Sequence, residues 1–333
     1  DHLTNRELPY YYWQQYYTLM SNYGSYASYF IDTSTPFDQQ MCMFDDTRTW
    51  QQYFLQAAIT NYENVTAIWQ EARLAGFQLS QEDQDYLDEL DGQITVAAAS
   101  YSYGSADEYL QMAYGPAATL TSYHAFVERQ ITASAYLQVL VDEKPYTEDD
   151  ISKYYDDNAD SYAGNGIEKS DVKMVNVRHI LIQPEGKNDD GTYTDEAWAE
   201  AEKKANDLLT EWQNGEHTED SFAFMAAENS QDPGSVENGG LYEDIYPGKM
   251  VDEFDAWCFD PARQPGDTGI VKTSYGYHIM YFSSTGEHAY WYVRAEEDYL
   301  NELSVSVLQE VAAKFEATES EQNAAIVDIM QQN

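Results

Sequence analysis

Two histidines and a carboxylate stand out in the second half of the chain: His179 in a run of β-branched residues, Asp232 just before Pro233, and His278 in a later apolar run. Two histidines with a carboxylate can hold iron or zinc. The spacing argues against that chemistry here, because no His-x-His or His-Glu-x-x-His pair occurs, and neither a metal nor a cofactor is expected. Taken singly, the residues have plain structural readings. A histidine in a strand is most often a satisfied core residue, and an Asp before a proline is most often a turn residue. Met250 and Phe254 stand at i and i+4, the spacing of one helix face, and alone would be core. Glycine-rich phosphate loops are absent, and Gly24-Ser25 and Gly104-Ser105 lack the context of a nucleophile elbow.

The order of the segments says more than the single residues. Val177-Arg178-His179-Ile180-Leu181-Ile182 comes first. Asn229-Ser230-Gln231-Asp232-Pro233-Gly234-Ser235 follows, then Asn238-Gly239-Gly240-Leu241. Gly266-Asp267-Thr268-Gly269-Ile270-Val271-Lys272-Thr273 and Tyr275-Gly276-Tyr277-His278-Ile279 close the series, after the Met250/Phe254 helix. In this order the segments from Val172 to Phe282 resemble the parvulin-type prolyl cis/trans isomerases, over about a third of the chain. The resemblance implies that His179 and His278 form a paired core, with Asp232 beside them and the Thr273 hydroxyl bonded within the pair. It also implies a proline pocket from Leu241, Met250 and Phe254, with Tyr275 at the substrate site. One departure is visible. The family often carries an acidic residue between the glycine pair and the leucine, whereas here Gly240 runs directly into Leu241. The loop from Tyr242 to Gly248 is therefore expected to differ in shape.

The implied reaction needs no bond made or broken. Amide resonance sets a barrier of about 18–20 kcal/mol to rotation of a peptide bond. A site that binds the twisted X-Pro amide better than either planar form lowers it, and about 4 kcal/mol of such preference gives roughly a thousandfold. An apolar pocket can hold the ring while a dry hydrogen-bond network favours the altered carbonyl and nitrogen. The polar segment that follows the first strand bears on substrate choice. Lys187 is its one base, among Asp189, Asp190, Asp195 and Glu196, which argues against recognition of phosphorylated Ser/Thr-Pro.

The elements that must position these residues read as α+β. Val172–Ile182 is a strand, helices follow around Trp198–Trp212, Thr218–Ala226 and Met250–Cys258, and strands at Gly269–Thr273 and His278–Phe282 form a hairpin. Before Asp171 the chain reads as all helical, from Trp50 to Gly76, after Ser80, after Ser105, from Leu120 to Val141 and after Thr147, with the crowded tyrosines of Tyr10–Tyr29 showing no clean period. Asn158–Ser170 reads as a linker. After His288 the apolar face of Trp291, Tyr299, Leu303, Val307, Val311 and Phe315 is too long to leave wet. The expected organisation is thus a helical, chaperone-like domain at 1–170, an isomerase domain at 171–288 inserted into it, and a C-terminal helix in 289–333 packing on the N-terminal half. The segment Thr147–Asn158 resembles the junction helix of PrsA-like and SurA-like bacterial foldases, in which a helical chaperone body surrounds a parvulin domain.

With 17 basic against 59 acidic residues the net charge is -42. So acidic a chain lacks the cations that displace counterions from phosphates, which excludes nucleic acid as a partner. Cys42 and Cys258 do not suggest a disulfide framework. No apolar run reaches the roughly 18 residues of a membrane span, and the chain opens at Asp1 without Met, so that its original start is expected to have been removed, which leaves room for a signal peptide or lipid anchor that this sequence does not show. The combined expectation is a bacterial extracytoplasmic isomerase and folding factor acting on unfolded or partly folded secreted proteins. The alternative is a holdase whose parvulin domain binds peptides without turning them over.

Overall fold

The computed structural model describes residues 3–188 and 191–315. Asp189 and Asp190, and the end of the chain beyond residue 315, lie outside the described residues. The chain divides into two compact units, Asp1–Pro145 with Leu300–Asn333, and Tyr146–Tyr299.

The first unit is built on helices α1 (Leu8–Tyr23), α2 (Trp50–Ala75), α3 (Gln81–Ser100), α4 (Ala106–Tyr114) and α5 (Leu120–Asp142). Sequence-local caps start four of them: the Thr49, Ser80, Ser105 and Thr119 hydroxyls each accept the backbone N–H three residues on, satisfying donors that the first turn leaves orphaned. The tyrosine-rich start is a helix after all. Its period is hidden because Tyr10, Tyr11, Tyr12 and Trp13 are all buried, and a helix covered on every side has no polar stripe to reveal it. The expectation of an all-helical first half is corrected by a small antiparallel hairpin, β1 (Met41–Cys42) and β2 (Asp45–Thr49), between α1 and α2. Its charged strand Asp45-Asp46-Thr47-Arg48 carries no strand-like alternation. Tyr12, Trp13, Tyr16, Phe37, Trp50 and Phe54 form an aromatic core, joined by edge-to-face and stacked rings.

The second unit begins with α6 (Glu148–Asp157) and α7 (Ala159–Gly164). The stretch expected to be a linker is therefore partly helical. A sheet follows, from β3 (Lys173–Ile182), β4 (Leu241–Ile245), β5 (Thr268–Thr273) and β6 (Gly276–Ala289), in the order β4-β3-β6-β5 and antiparallel throughout. Helices α8 (Asp195–Asn214), α9 (Glu219–Asn229) and α10 (Asp252–Cys258) pack around it. Strand parity sorts the faces. Ile180 and Ile182 pack with Ala201, Ala205, Phe222 and Ala226 of α8 and α9, while Val175 and Val177 pack with Phe254 and Cys258 of α10.

The last helix, α11 (Tyr290–Ala312), follows β6 without an intervening loop. Its residues up to Tyr299 belong to the second unit, where Tyr292 and Ala295 pack with Ile151, Tyr155 and Tyr162. That packing groups Tyr146–Ser170 with the sheet rather than with the N-terminal helices. From Leu300 on, α11 belongs to the first unit, where Val311 packs with Ala67, Ile68, Ala72, Ala133 and Tyr136. Lys144 and Lys314 add ion pairs there, to Glu310 and Glu71. Cys42 and Cys258 are buried and unpaired.

Candidate functional site

Strand parity brings the two histidines to one face of the sheet. His179 lies two residues after Val177, on the side facing α10, and His278 lies two before Met280 on the neighbouring strand. Leu181 pairs with His278 and His179 with Met280, so the two rings meet on the diagonal. Both are almost fully buried, and their Nδ1 atoms are 3.0 Å apart. Two glycines let the strands approach this closely. Gly240, at φ +76, passes so near β3 that a Cβ there would lie 2.3 Å from the His179 carbonyl oxygen. Gly240 in turn accepts the His179 N–H at 2.8 Å. Gly276, at φ +151, similarly makes room for the carbonyl of Ile182 at the β5–β6 turn.

Hydrogen bonds run outward from the pair in both directions. The Thr273 hydroxyl lies 2.9 Å from His278 Nε2 and accepts the Tyr275 N–H. On the other side, His179 Nε2 faces Asp232 Oδ2 at 3.1 Å. The same carboxylate oxygen accepts the Ser235 hydroxyl at 2.5 Å and the Tyr242 hydroxyl at 2.9 Å. The bond to His179, with those from Ser235 and Tyr242, outweighs burial and holds Asp232 well below the usual carboxylate range. His278 is lowered too, to about 3, by burial and by its neighbour His179, which for a histidine favours the neutral form. It is therefore neutral at ordinary pH.

Assigning hydrogens from these contacts gives the pair two self-consistent states. If neutral His278 carries its proton on Nδ1, it donates to His179 Nδ1, and His179 is neutral with its proton on Nε2. If His278 carries it on Nε2, toward Thr273, then His179 donates from Nδ1 to His278 Nδ1. In both states His179 Nε2 faces Asp232 Oδ2 and the Ser235 hydroxyl, each at 3.1 Å.

Beside the network lies a cavity of about 430 Å³. Leu181, Met250, Val251 and Phe254 make its apolar wall. His179, His278, Asp232 and Tyr242 make the polar side, and Gln183, Pro233 and Tyr275 complete the lining. The Phe254 ring stands edge-on to both histidine rings, at 5.4 Å from each. Met250 precedes α10 rather than sharing its face, since the helix starts at Asp252. It reaches the cavity from the preceding turn. Tyr275 is more than half exposed, at the rim.

Of the eight residues expected at the site, His179, Asp232, His278, Met250, Phe254 and Tyr275 line the cavity, and Thr273 stands behind His278. Leu241 is the correction. It pairs with Arg178 on β4 and does not line the cavity, because successive strand residues face opposite sides; its neighbour Tyr242 is turned inward instead. Gly240 runs directly into Leu241, and the Leu-Tyr-Glu-Asp-Ile stretch of β4 shows no strand alternation in the sequence. Ser235 was the other omission. It lies within the Asp-Pro-Gly-Ser segment and is almost fully buried, but a serine in such a turn gives no separate signal. Among the described residues no cluster of His, Cys, Asp or Glu could hold a metal ion.

Comparison with known proteins bears on the same segment of the chain. Residues 165–284 match the family described as the PPIC-type PPIase (peptidyl-prolyl isomerase) domain. Foldase protein PrsA 1 of Listeria innocua is 31% identical over 106 residues, 32% of this chain and 29% of the relative. Foldase protein PrsA of a Geobacillus species is 44% identical over 80 residues, covering 24% of this chain and 27% of its own length. Chaperone SurA of Pseudomonas savastanoi is 35% identical over 107 residues, covering 32% and 22%. The chain thus spans less than a third of the length of these curated relatives. Among solved structures, PrsA from Bacillus subtilis aligns over 86% of this chain and 96% of its own, at 18% identity and a TM-score of 0.37. The sequence match and the cavity coincide in one segment, and that segment, residues 165–284, is a parvulin-type peptidyl-prolyl isomerase domain.

Proposed function

We propose that the whole protein is a folding factor that isomerises X-Pro bonds in unfolded or partly folded secreted clients, outside the bacterial cytoplasm. The observation that carries this reading is the buried His179–His278 pair, bonded to Asp232 and Thr273 and opening onto a cavity whose other wall is apolar. A proline ring seats against Met250, Val251, Phe254 and Leu181, where burial of its methylenes contributes binding. The amide then lies at the polar side of the cavity. Rotation destroys amide resonance, so the carbonyl becomes more ketone-like and the nitrogen more basic. Fixed donors and a fixed anion stabilise that redistribution without having to reorganise. No covalent step is required, and none of the polar groups need leave its partners.

The parvulin-type domain fits the printed names of its relatives, PrsA foldases and a SurA chaperone. The helices of the first unit supply the chaperone-like body in this reading, and a membrane anchor beyond the given chain is compatible with it. The test is a protease-coupled or NMR exchange assay of the complete chain on an Ala-Xaa-Pro-Phe peptide series. Catalysis that disappears in the double variant H179A/H278A supports the reading. A folded wild-type chain that suppresses client aggregation but leaves the cis/trans exchange rate untouched makes it a holdase instead.

A further inference from the structure

Tyr242 occupies two places at once. Its ring lines the cavity and lies nearly parallel to the His179 ring, with centroids 5.1 Å apart and planes at 19°. Its hydroxyl ends at Asp232 Oδ2, 2.9 Å away. Two neighbours make this geometry possible. Strand β4 directs residue 242 inward by parity, opposite Val177. Gly234 leaves the hydroxyl its room, since a Cβ at that position would lie 2.7 Å from the Tyr242 oxygen. An aliphatic side chain on β4 could form the wall but could not reach the carboxylate.

We propose that Tyr242 is a positioning residue of the isomerase site, which fixes the Asp232 carboxylate and through it the orientation and hydrogen-bond state of His179, while its ring closes the proline pocket. This rests on the isomerase reading above. Three groups compete at one oxygen. Asp232 Oδ2 receives three donors, from His179, Ser235 and Tyr242. Each donor draws electron density and makes the carboxylate a weaker base toward the others. With Tyr242 in place, Asp232 Oδ2 is held among three groups and presents a fixed partner to His179 Nε2. Without it, the carboxylate is free to turn, and the proton between His179 Nδ1 and His278 Nδ1 loses the fixed partner at the far side of the His179 ring. The Tyr242 phenol stays a donor throughout, because burial and the adjacent Asp232 push its pKa up to about 12.

Two variants separate the hydroxyl from the ring. Tyr242→Phe keeps the wall and removes one donor. The expected result is a KM within about twofold of wild type and a kcat lower by about tenfold, the effect of one charge-assisted hydrogen bond. The ring-nitrogen NMR signals of His179 and His278 should shift at fixed pH 7. Tyr242→Leu removes wall and donor together, so KM should also rise. Tyr242→Phe with unchanged kcat and unchanged histidine signals would reduce Tyr242 to a wall and overturn the proposal. If the wild-type chain shows no isomerase activity the catalytic reading itself falls, and the histidine signals of Tyr242→Phe still decide whether the hydroxyl positions the pair.

Discussion

His179 and His278 meet Nδ1 to Nδ1, at 3.0 Å, so that only one of the two nitrogens can hold the proton between them. The tautomer of His278 therefore dictates which of the two Nδ1 atoms donates, although the two rings are anchored to different strands. The expected outcome in nitrogen-15 NMR at pH 7 is one protonated Nδ1 shared across the pair, and never two. Thr273→Val removes the hydroxyl that His278 Nε2 faces, and a buried Nε2–H would then go unsatisfied. The variant should populate the Nδ1–H form of His278 alone, donating to His179 Nδ1.

The buried His278 also predicts how stability follows pH. Its folded-state pKa is lowered from 6.5 to about 3, so between those values the unfolded chain binds a proton that the folded chain refuses. Its contribution is whole above pH 6.5 and is lost as pH falls toward 3, with a slope of at most about 1.4 kcal/mol per pH unit. Asp232, lowered below its ordinary 3.8, acts lower on the scale: its contribution is present above about 3.8 and is lost only below it. Urea titrations between pH 7 and 4 should therefore show a shallower decline for His278→Gln than for wild type. Parallel declines would place the titrating group elsewhere.

The pocket wall can be weakened with or without damage to the core. Phe254 is 3% exposed and belongs to the core beneath the sheet, so Phe254→Ala should cost about 3–5 kcal/mol as well as substrate binding. Met250 is only partly buried. Met250→Ala should raise KM several-fold with a far smaller fall in melting temperature. The pair of variants, read by calorimetry and kinetics together, distinguishes binding from folding.

Two glycines with similar dihedral angles should respond differently. At Gly240 (φ +76) an added Cβ meets the His179 carbonyl at 2.3 Å, whereas at Gly248 (φ +88) it meets nothing within 4 Å. Gly248→Ala should cost only the backbone strain of a left-handed residue, about 1–2 kcal/mol. Gly240→Ala must in addition force β4 away from β3 at His179. It should lose activity as well as several degrees of melting temperature.

The terminal part of α11 carries a prediction for the first unit. Val311 is buried among Ala67, Ile68, Ala72, Ala133 and Tyr136. Val311→Asp places an unpaired charge there, at a cost of several kcal/mol. The first unit should then unfold at lower denaturant, as followed by a probe at Trp69, while catalysis by residues 165–284 persists. Coincident loss of both would show that the units fold as one.

Much of the isomerase domain was legible because its signals are local and ordered. The β-branched run of β3, the glycine turns and the Met250/Phe254 spacing each report a short stretch of chain. The order of those stretches fixed the expectation that His179, Asp232 and His278 converge. What the sequence hid were matters of parity and of long-range burial. Leu241 and Tyr242 differ by one residue, and without β4 in view nothing decided which of them faces the proline site. Tyr10 to Trp13 are aromatic on every side, so no period marked α1. The Met41–Thr49 hairpin is short and charged, and it is held by packing on α2 rather than by a pattern of its own.

Under the proposed function, in which the chain handles unfolded clients, the two cysteines have a chemical consequence. Both thiols are buried, and burial pushes that of Cys258 up to about 12. The nucleophile in disulfide exchange is the thiolate, and at neutral pH Cys258 holds almost none. No cross-link joins the two cysteines, so a reductant has no disulfide of theirs to break. In the proposed role, a client with half-formed disulfides meets buried thiols rather than exposed thiolates, and its own cysteines remain free to find their partners.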